Sequence, residues 1–174
     1  MNEYAAFLRG VNVGGVNLKM SAVAAALRSA GFENVRTILA SGNAVLTASC
    51  GAQEVRTTAE AVLRSRFGYD AWVLVYEMAT VRSIVDGFPF EPEVDGHHSY
   101  VTFVSDPAVL DELAGLAVGA GPEEKFARGD GVVYWQVPRS ATLSSAIGRT
   151  MGNRRYKSST TTRNLRTLDK VLRG

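Results

Sequence analysis

The sequence contains a single cysteine in 174 residues, Cys50, which excludes an internal disulfide framework and fits a reducing compartment. No histidine stands near Cys50 to activate its thiol. The only histidines, His97 and His98, are adjacent, so in extended chain their side chains leave on opposite sides and make a poor metal pair. No apolar run approaches the roughly 18 residues that cross a bilayer. The start, Met1-Asn2-Glu3-Tyr4, has no basic stretch ahead of an apolar one, so no secretory signal is expected. Cytoplasmic location without membrane association is the expectation. Neither a G-x-S-x-G elbow nor an H-E-x-x-H pair is found. The spacing Gly10-x-x-x-Gly14-Gly15 is neither G-x-G-x-x-G nor a P-loop, because Lys19 follows Leu18 and not a glycine. Catalytic residues therefore stay unassigned, and no metal site and no cofactor is expected.

What the chain does have is enough apolar residue, 46%, to bury a core in one domain or two small ones. Its net charge of +2 is unevenly distributed. Residues 149–174 carry eight basic residues and one acid, Asp169, a surplus of +7, which leaves −5 for residues 1–148. Charge is the one strong asymmetry.

The hydrophobic pattern alternates between strand and helix periods. Residues 4–9 read as a strand stopped by Gly10, and residues 10–17 as a loop. Ser21 is the expected N-cap of a helix over 21–30, closed by Gly31. Residues 35–40 and 44–47 form a hairpin about Ser41-Gly42-Asn43. Val55, Ala59, Val62, Leu63 and Phe67 mark a second helix ending at Gly68, and 72–76 is an apolar strand. That order, β-α-β-β-α-β, is the split βαβ of ferredoxin-like domains. Residues 78–87 read as a connecting helix, followed by an acidic, proline-containing linker over 88–98. The order then repeats: strand 100–104, helix 107–116, hairpin strands 125–128 and 132–137, helix 140–148, strand 157–161 and a closing helix over 163–172. The expected fold class is thus α+β, tandem ferredoxin-like units with a C-terminal helix. The halves are 1–77 and 99–174, with 78–98 between them. Alternation sets Val133, Trp135 and Val137 against Val132, Tyr134 and Gln136, and Val101 and Phe103 against Tyr100 and Thr102. The first set of each suits a helix-covered core. The second, with Tyr100 and Tyr134, suits an open sheet face or a contact with the other half.

Because the first two strands of such a unit run parallel, the loop at 10–17 and the turn at 41–43 meet at one end of the sheet. Gly14 and Gly15 allow backbone amides to approach a ligand, Asn12, Asn17, Ser41 and Asn43 add neutral donors, and Arg9 or Lys19 adds charge. The same residues equally suit a tight connection in which asparagines take left-handed backbone positions. In the basic segment, Arg154, Arg155 and Lys157 surround Tyr156, and Thr161 or Thr162 is placed to cap the last helix, ahead of Arg163 and Asn164. This set fits a phosphate-bearing partner, or else a solvated basic face, or one paired with the acids at 91–95.

Leu8-Arg9-Gly10-Val11-Asn12-Val13-Gly14-Gly15, Gly31 to Thr37, Ser41-Gly42-Asn43 and Thr161-Thr162-Arg163-Asn164 resemble conserved blocks of the bacterial family called domain of unknown function 1697. Leu165 stands where that family usually has tryptophan. The resemblance implies tandem ferredoxin-like α+β units and no established activity, and it picks out Arg9–Gly15, Ser41–Asn43 and Thr162–Asn164. Three functions follow as expectations. The first is binding of an anionic or phosphorylated small ligand by Arg9, Asn12, Gly14, Gly15, Ser41, Gly42, Asn43, Lys157, Thr162, Arg163 and Asn164. The second is nucleic-acid binding by the basic C-terminal face, with Tyr134 or Tyr156 stacking on bases. The third is a non-catalytic interaction module using the sheet face around Tyr100 and Tyr134. Oligomeric state is left open.

Overall fold

The computed structural model describes residues 1–12, 16–116, 121–141, 146–151 and 153–173. The chain divides into two compact units: Met1–Arg82 with Asp169–Gly174, and Ser83–Leu168. The division falls inside a helix, and the last residues of the chain return to the first unit. The chain is a mixed α+β protein whose units each hold a four-stranded antiparallel sheet.

In the first unit the order is β1 (Asn2–Leu8), α1 (Met20–Ser29), β2 (Glu33–Ile38), β3 (Asn43–Ala48), α2 (Ala52–Phe67) and β4 (Val73–Glu77), followed by α3 (Met78–Asp86). The sheet runs β2-β3-β1-β4, so β1 and β2 are parallel on either side of β3. Alternation in β1 puts Tyr4, Ala6 and Leu8 on one face, where they pack with Val23, Ala26 and Leu27 of α1 and Val55, Ala59 and Leu63 of α2. Burial of each such leucine contributes about 1.5–3 kcal/mol. Gly68 ends α2 in the left-handed conformation at φ +65°, as its sequence position leads one to expect. Ser21 is not the N-cap of α1. The helix begins at Met20, with Lys19 extended before it and no side chain capping its first turn.

The second unit repeats the order with β5 (His97–Val104), α4 (Pro107–Ala114), β6 (Lys125–Arg128), β7 (Val132–Pro138), α5 (Ala146–Met151) and β8 (Thr160–Asn164), then α6 (Leu165–Arg173). Its sheet runs β6-β7-β5-β8. Proline at the first position of α4 and the Asp106 carboxylate, which accepts from the Ala108 amide at 2.9 Å, start that helix.

Four expectations for this unit are corrected. The helix over 140–148 is instead a 3-10 turn at Arg139–Ala141 and the short α5, with 142–145 outside the described residues. The strand over 157–161 lies later, at Thr160–Asn164, because a 3-10 turn at Arg154–Tyr156 occupies the preceding chain. Consequently Thr161 and Thr162 pair with Phe103 and Thr102 of β5 and cannot cap α6. Asn164 does so, its Oδ1 accepting from the Arg166 amide at 2.9 Å.

The fourth correction concerns faces. Tyr100 pairs with Trp135 and Val101 with Tyr134, so these couples share faces. Tyr100, Val133, Trp135 and Val137 lie together against Leu110 and Leu113 of α4. Val101 and Phe103 lie with Tyr134 on the opposite face, and all three are buried. Tyr100 and Tyr134 therefore do not form one open surface.

Candidate functional site

At the end of β1, the Leu8 amide donates to the Gly42 carbonyl at 2.8 Å, which seats the β2–β3 turn against the loop after β1. Gly42 is required twice over. Its φ is +92°, and a Cβ there would stand 2.9 Å from Leu8 Cβ. Asn12 has φ +57°, a left-handed position that asparagine tolerates. Its Nδ2 donates to Ala40 O at 2.6 Å and Leu18 O at 2.9 Å, while its Oδ1 accepts from the Leu18 amide at 2.8 Å. Asn43 is 1% exposed, and its Nδ2 donates to Ile38 O at 2.8 Å and Ser41 Oγ at 3.1 Å.

Arg9, Asn12, Ser41, Gly42 and Asn43 are thus assembled at one end of the first sheet. Within that group the two asparagine amides hold backbone in place. Arg9 carries the charge of the group: its amide donates to Trp72 O at 3.0 Å, and the residue is half-buried. Burial removes water from the guanidinium and lowers its pKa. Gly14 and Gly15 lie outside the described residues.

In the second unit the closing motif is split by strand alternation. Thr162 and Asn164 lie on the face of Tyr100 and Thr102, with Thr162 Oγ1 and Thr102 Oγ1 hydrogen-bonded at 2.8 Å. Arg163 points to the other face. It is buried, and donates to Thr161 Oγ1 at 2.7 Å and Thr162 O at 2.9 Å. Lys157 is exposed at the end of the 3-10 turn.

The expected stacking aromatics are not available. Tyr134 is buried with its hydroxyl donating to Ile84 O at 2.6 Å. Tyr156 is buried with its hydroxyl donating to Glu112 Oε1 at 2.8 Å, which raises the phenol pKa. A nucleic-acid reading that stacks bases on either ring is overturned. Between the basic segment and the acidic linker, Arg166 Nε pairs with Glu93 Oε1 at 3.4 Å. Such an exposed pair is worth little.

A group not singled out from sequence stands on the α4 side of the second sheet. His98, Tyr100 and Trp135 form a row, with ring centroids 5.6 Å and 4.5 Å apart and planes inclined by 49° and 32°. Trp135 is held beneath by Nε1 donating to Thr102 Oγ1 at 2.9 Å. Burial lowers the His98 pKa, and the charges of Arg139 and Arg166 lower it further. The alternation His98-x-Tyr100 was the available signal, but the partner strand's contribution required the register. Among the described residues no group of three or more His, Cys, Asp or Glu could hold a metal ion. No described helix is long and apolar enough to cross a membrane.

Residues 1–134 match the model of the family described as "Protein of unknown function (DUF1697)". The chain belongs to that family. Among solved structures, the conserved bacterial protein SP0830 from Streptococcus pneumoniae superposes with a TM-score of 0.80 at 18% identity, over 99% of this chain and 97% of that one. At that identity the likeness speaks for the fold alone. An unknown protein from Galdieria sulphuraria aligns at a TM-score of 0.28 and 9% identity, over 94% of this chain and 96% of that one, too slight a likeness to bear on the fold. No curated protein matches the sequence.

Proposed function

We propose that the protein is a tandem of ferredoxin-like units, acting in the cytoplasm, that binds an anionic or phosphorylated small ligand at the Arg9 end of the first sheet. The strand orders β2-β3-β1-β4 and β6-β7-β5-β8 support the fold reading. The observation that carries the ligand reading is half-buried Arg9 at the end of β1, next in the chain to Leu8, whose amide seats a turn that the Asn12 side chain ties down at three points. A charge in a pre-organised, partly dehydrated setting binds an anion with little ordering cost. Asn12, Gly42 and Asn43 then act as supports, and Arg9 and the Ser41 hydroxyl as contacts. Calorimetric titration against inorganic phosphate and a panel of phosphorylated metabolites tests this. A bound phosphorylated compound whose affinity falls in Arg9→Ala supports it. No ligand in the panel, or an affinity indifferent to Arg9, rejects it.

Exposed Arg154, Arg155 and Lys157 favour a second reading, contact with nucleic-acid phosphates without base stacking. Retention of RNA or DNA on filters that survives physiological salt and falls in Lys157→Ala would support it.

A further inference from the structure

The row His98–Tyr100–Trp135 has a closed end and an open end. Trp135 is 2% exposed. Its Nε1 is committed to Thr102 Oγ1, itself bonded to Thr162 Oγ1, so the floor of the row cannot turn without breaking a buried hydrogen bond. Tyr100 lies against it at 4.5 Å, and His98 ends the row half-exposed. Among the described residues no side-chain hydrogen bond engages the His98 ring or the Tyr100 hydroxyl. Beside the open end the chain brings two arginines: Arg139 follows Pro138, which pairs with His97, and its amide donates to Gly96 O at 2.8 Å, while Arg166 comes two residues after Asn164, which pairs with Tyr100. Glu93, 71% exposed, lies 3.4 Å from Arg166 Nε. A row of tilted rings thus ends near two arginines, a setting that suits a planar ring carrying an anionic group.

We propose that His98, Tyr100, Arg139 and Arg166 form a binding site for a small molecule that joins a planar aromatic ring to a phosphate, the chemistry of a nucleoside monophosphate. The ring continues the His98–Tyr100 row and the phosphate lies between Arg139 and Arg166. The site uses residues of the second unit alone, so its failure leaves the Arg9 reading untouched.

The full-length chain carrying His97→Gln, which leaves His98 as the single imidazole, is titrated by proton NMR from pH 5 to 8. Titrations are run without ligand, with AMP, with adenosine and with inorganic phosphate. AMP is expected to raise the His98 pKa, because a bound anion favours imidazolium, and to broaden or shift the Tyr100 ring signals. Phosphate alone is expected to act only at much higher concentration. Arg166→Gln, at an exposed position, is expected to raise the His98 pKa in the free protein and to weaken AMP roughly tenfold, the size of one charge-assisted contact. Tyr100→Leu is expected to weaken AMP while leaving the phosphate response alone. The proposal is overturned if AMP leaves His98 unmoved at millimolar concentration. It is equally overturned if phosphate moves His98 as strongly as AMP does, or if AMP affinity is unchanged in Arg166→Gln.

Discussion

The side-chain amide of Asn12 lies 2.6 Å from the carbonyl oxygen of Ala40, a residue 28 positions later in the chain. With its two contacts to Leu18, this single side chain ties the loop after β1, the approach to α1 and the β2–β3 turn into one piece.

Removing that tie should be costly. Asn12→Ala is expected to lower unfolding stability by about 2 kcal/mol, through lost hydrogen bonds and a Cβ-bearing residue less tolerant of positive φ. Asn12→Gly should recover the backbone part alone. Urea unfolding of both variants measures the split, and equal losses would show that backbone conformation contributes nothing.

Gly42 and Gly10 both have positive φ, +92° and +71°, but only Gly42 has a neighbour in the way of a Cβ. Gly10→Ala is expected to cost about 1 kcal/mol, and Gly42→Ala about 2–3 kcal/mol because Leu8 must also move. Thermal melts of the two variants side by side check the order.

Glu60 is 8% exposed, accepts from the Val73 amide at 2.9 Å and pairs with Arg56 Nε at 3.1 Å. Glu60→Ala leaves a buried amide without its acceptor and is expected to cost about 3 kcal/mol. Glu60→Gln still offers an oxygen to Val73 and should cost about 1 kcal/mol. Denaturant midpoints at constant slope distinguish these values.

Burial pushes the Tyr76 phenol from its ordinary 10 up to about 12, with Arg56 opposing. The folded state therefore holds the proton that the unfolded state gives up. The corresponding stability is fully present below pH 10 and is lost as pH rises from 10 to about 12. The loss amounts to about 3 kcal/mol. Tyr76→Phe should flatten that part of the alkaline stability profile measured by chemical denaturation, and an unchanged profile would refute the assignment.

Much of the element order was legible because local signals and tertiary packing agree. Gly68 ends α2 where the helical period stops, and Gly42 sits in the turn between two apolar runs. Caps were less legible. Ser21 has the right chemistry but lies inside α1, and the residue that caps α6 is Asn164, because pairing with β5 extends β8 past the threonines. At the candidate site, Asn12 and Ser41-Gly42-Asn43 stood out in sequence by residue type. Whether their amides face a ligand or their own backbone depends on where Ala40 and Ile38 place their carbonyls.

Composition and period alone were sufficient for the α+β class, the repeated element order, the lack of disulfides and the split between an acidic body and a basic C-terminal stretch. Those properties are set by spacing along one chain segment. Tertiary structure decided everything that needs two segments at once. The register of β5 against β7 put Tyr100 with Trp135 and Tyr134 with Val101, opposite to the grouping that apolar character alone favours. A one-residue change of register moves every side chain to the other face, and within a single strand nothing records which register its partner will choose. For the same reason Thr162 and Asn164 part company with Arg163, and His98 acquires its neighbours only when β7 and α6 arrive.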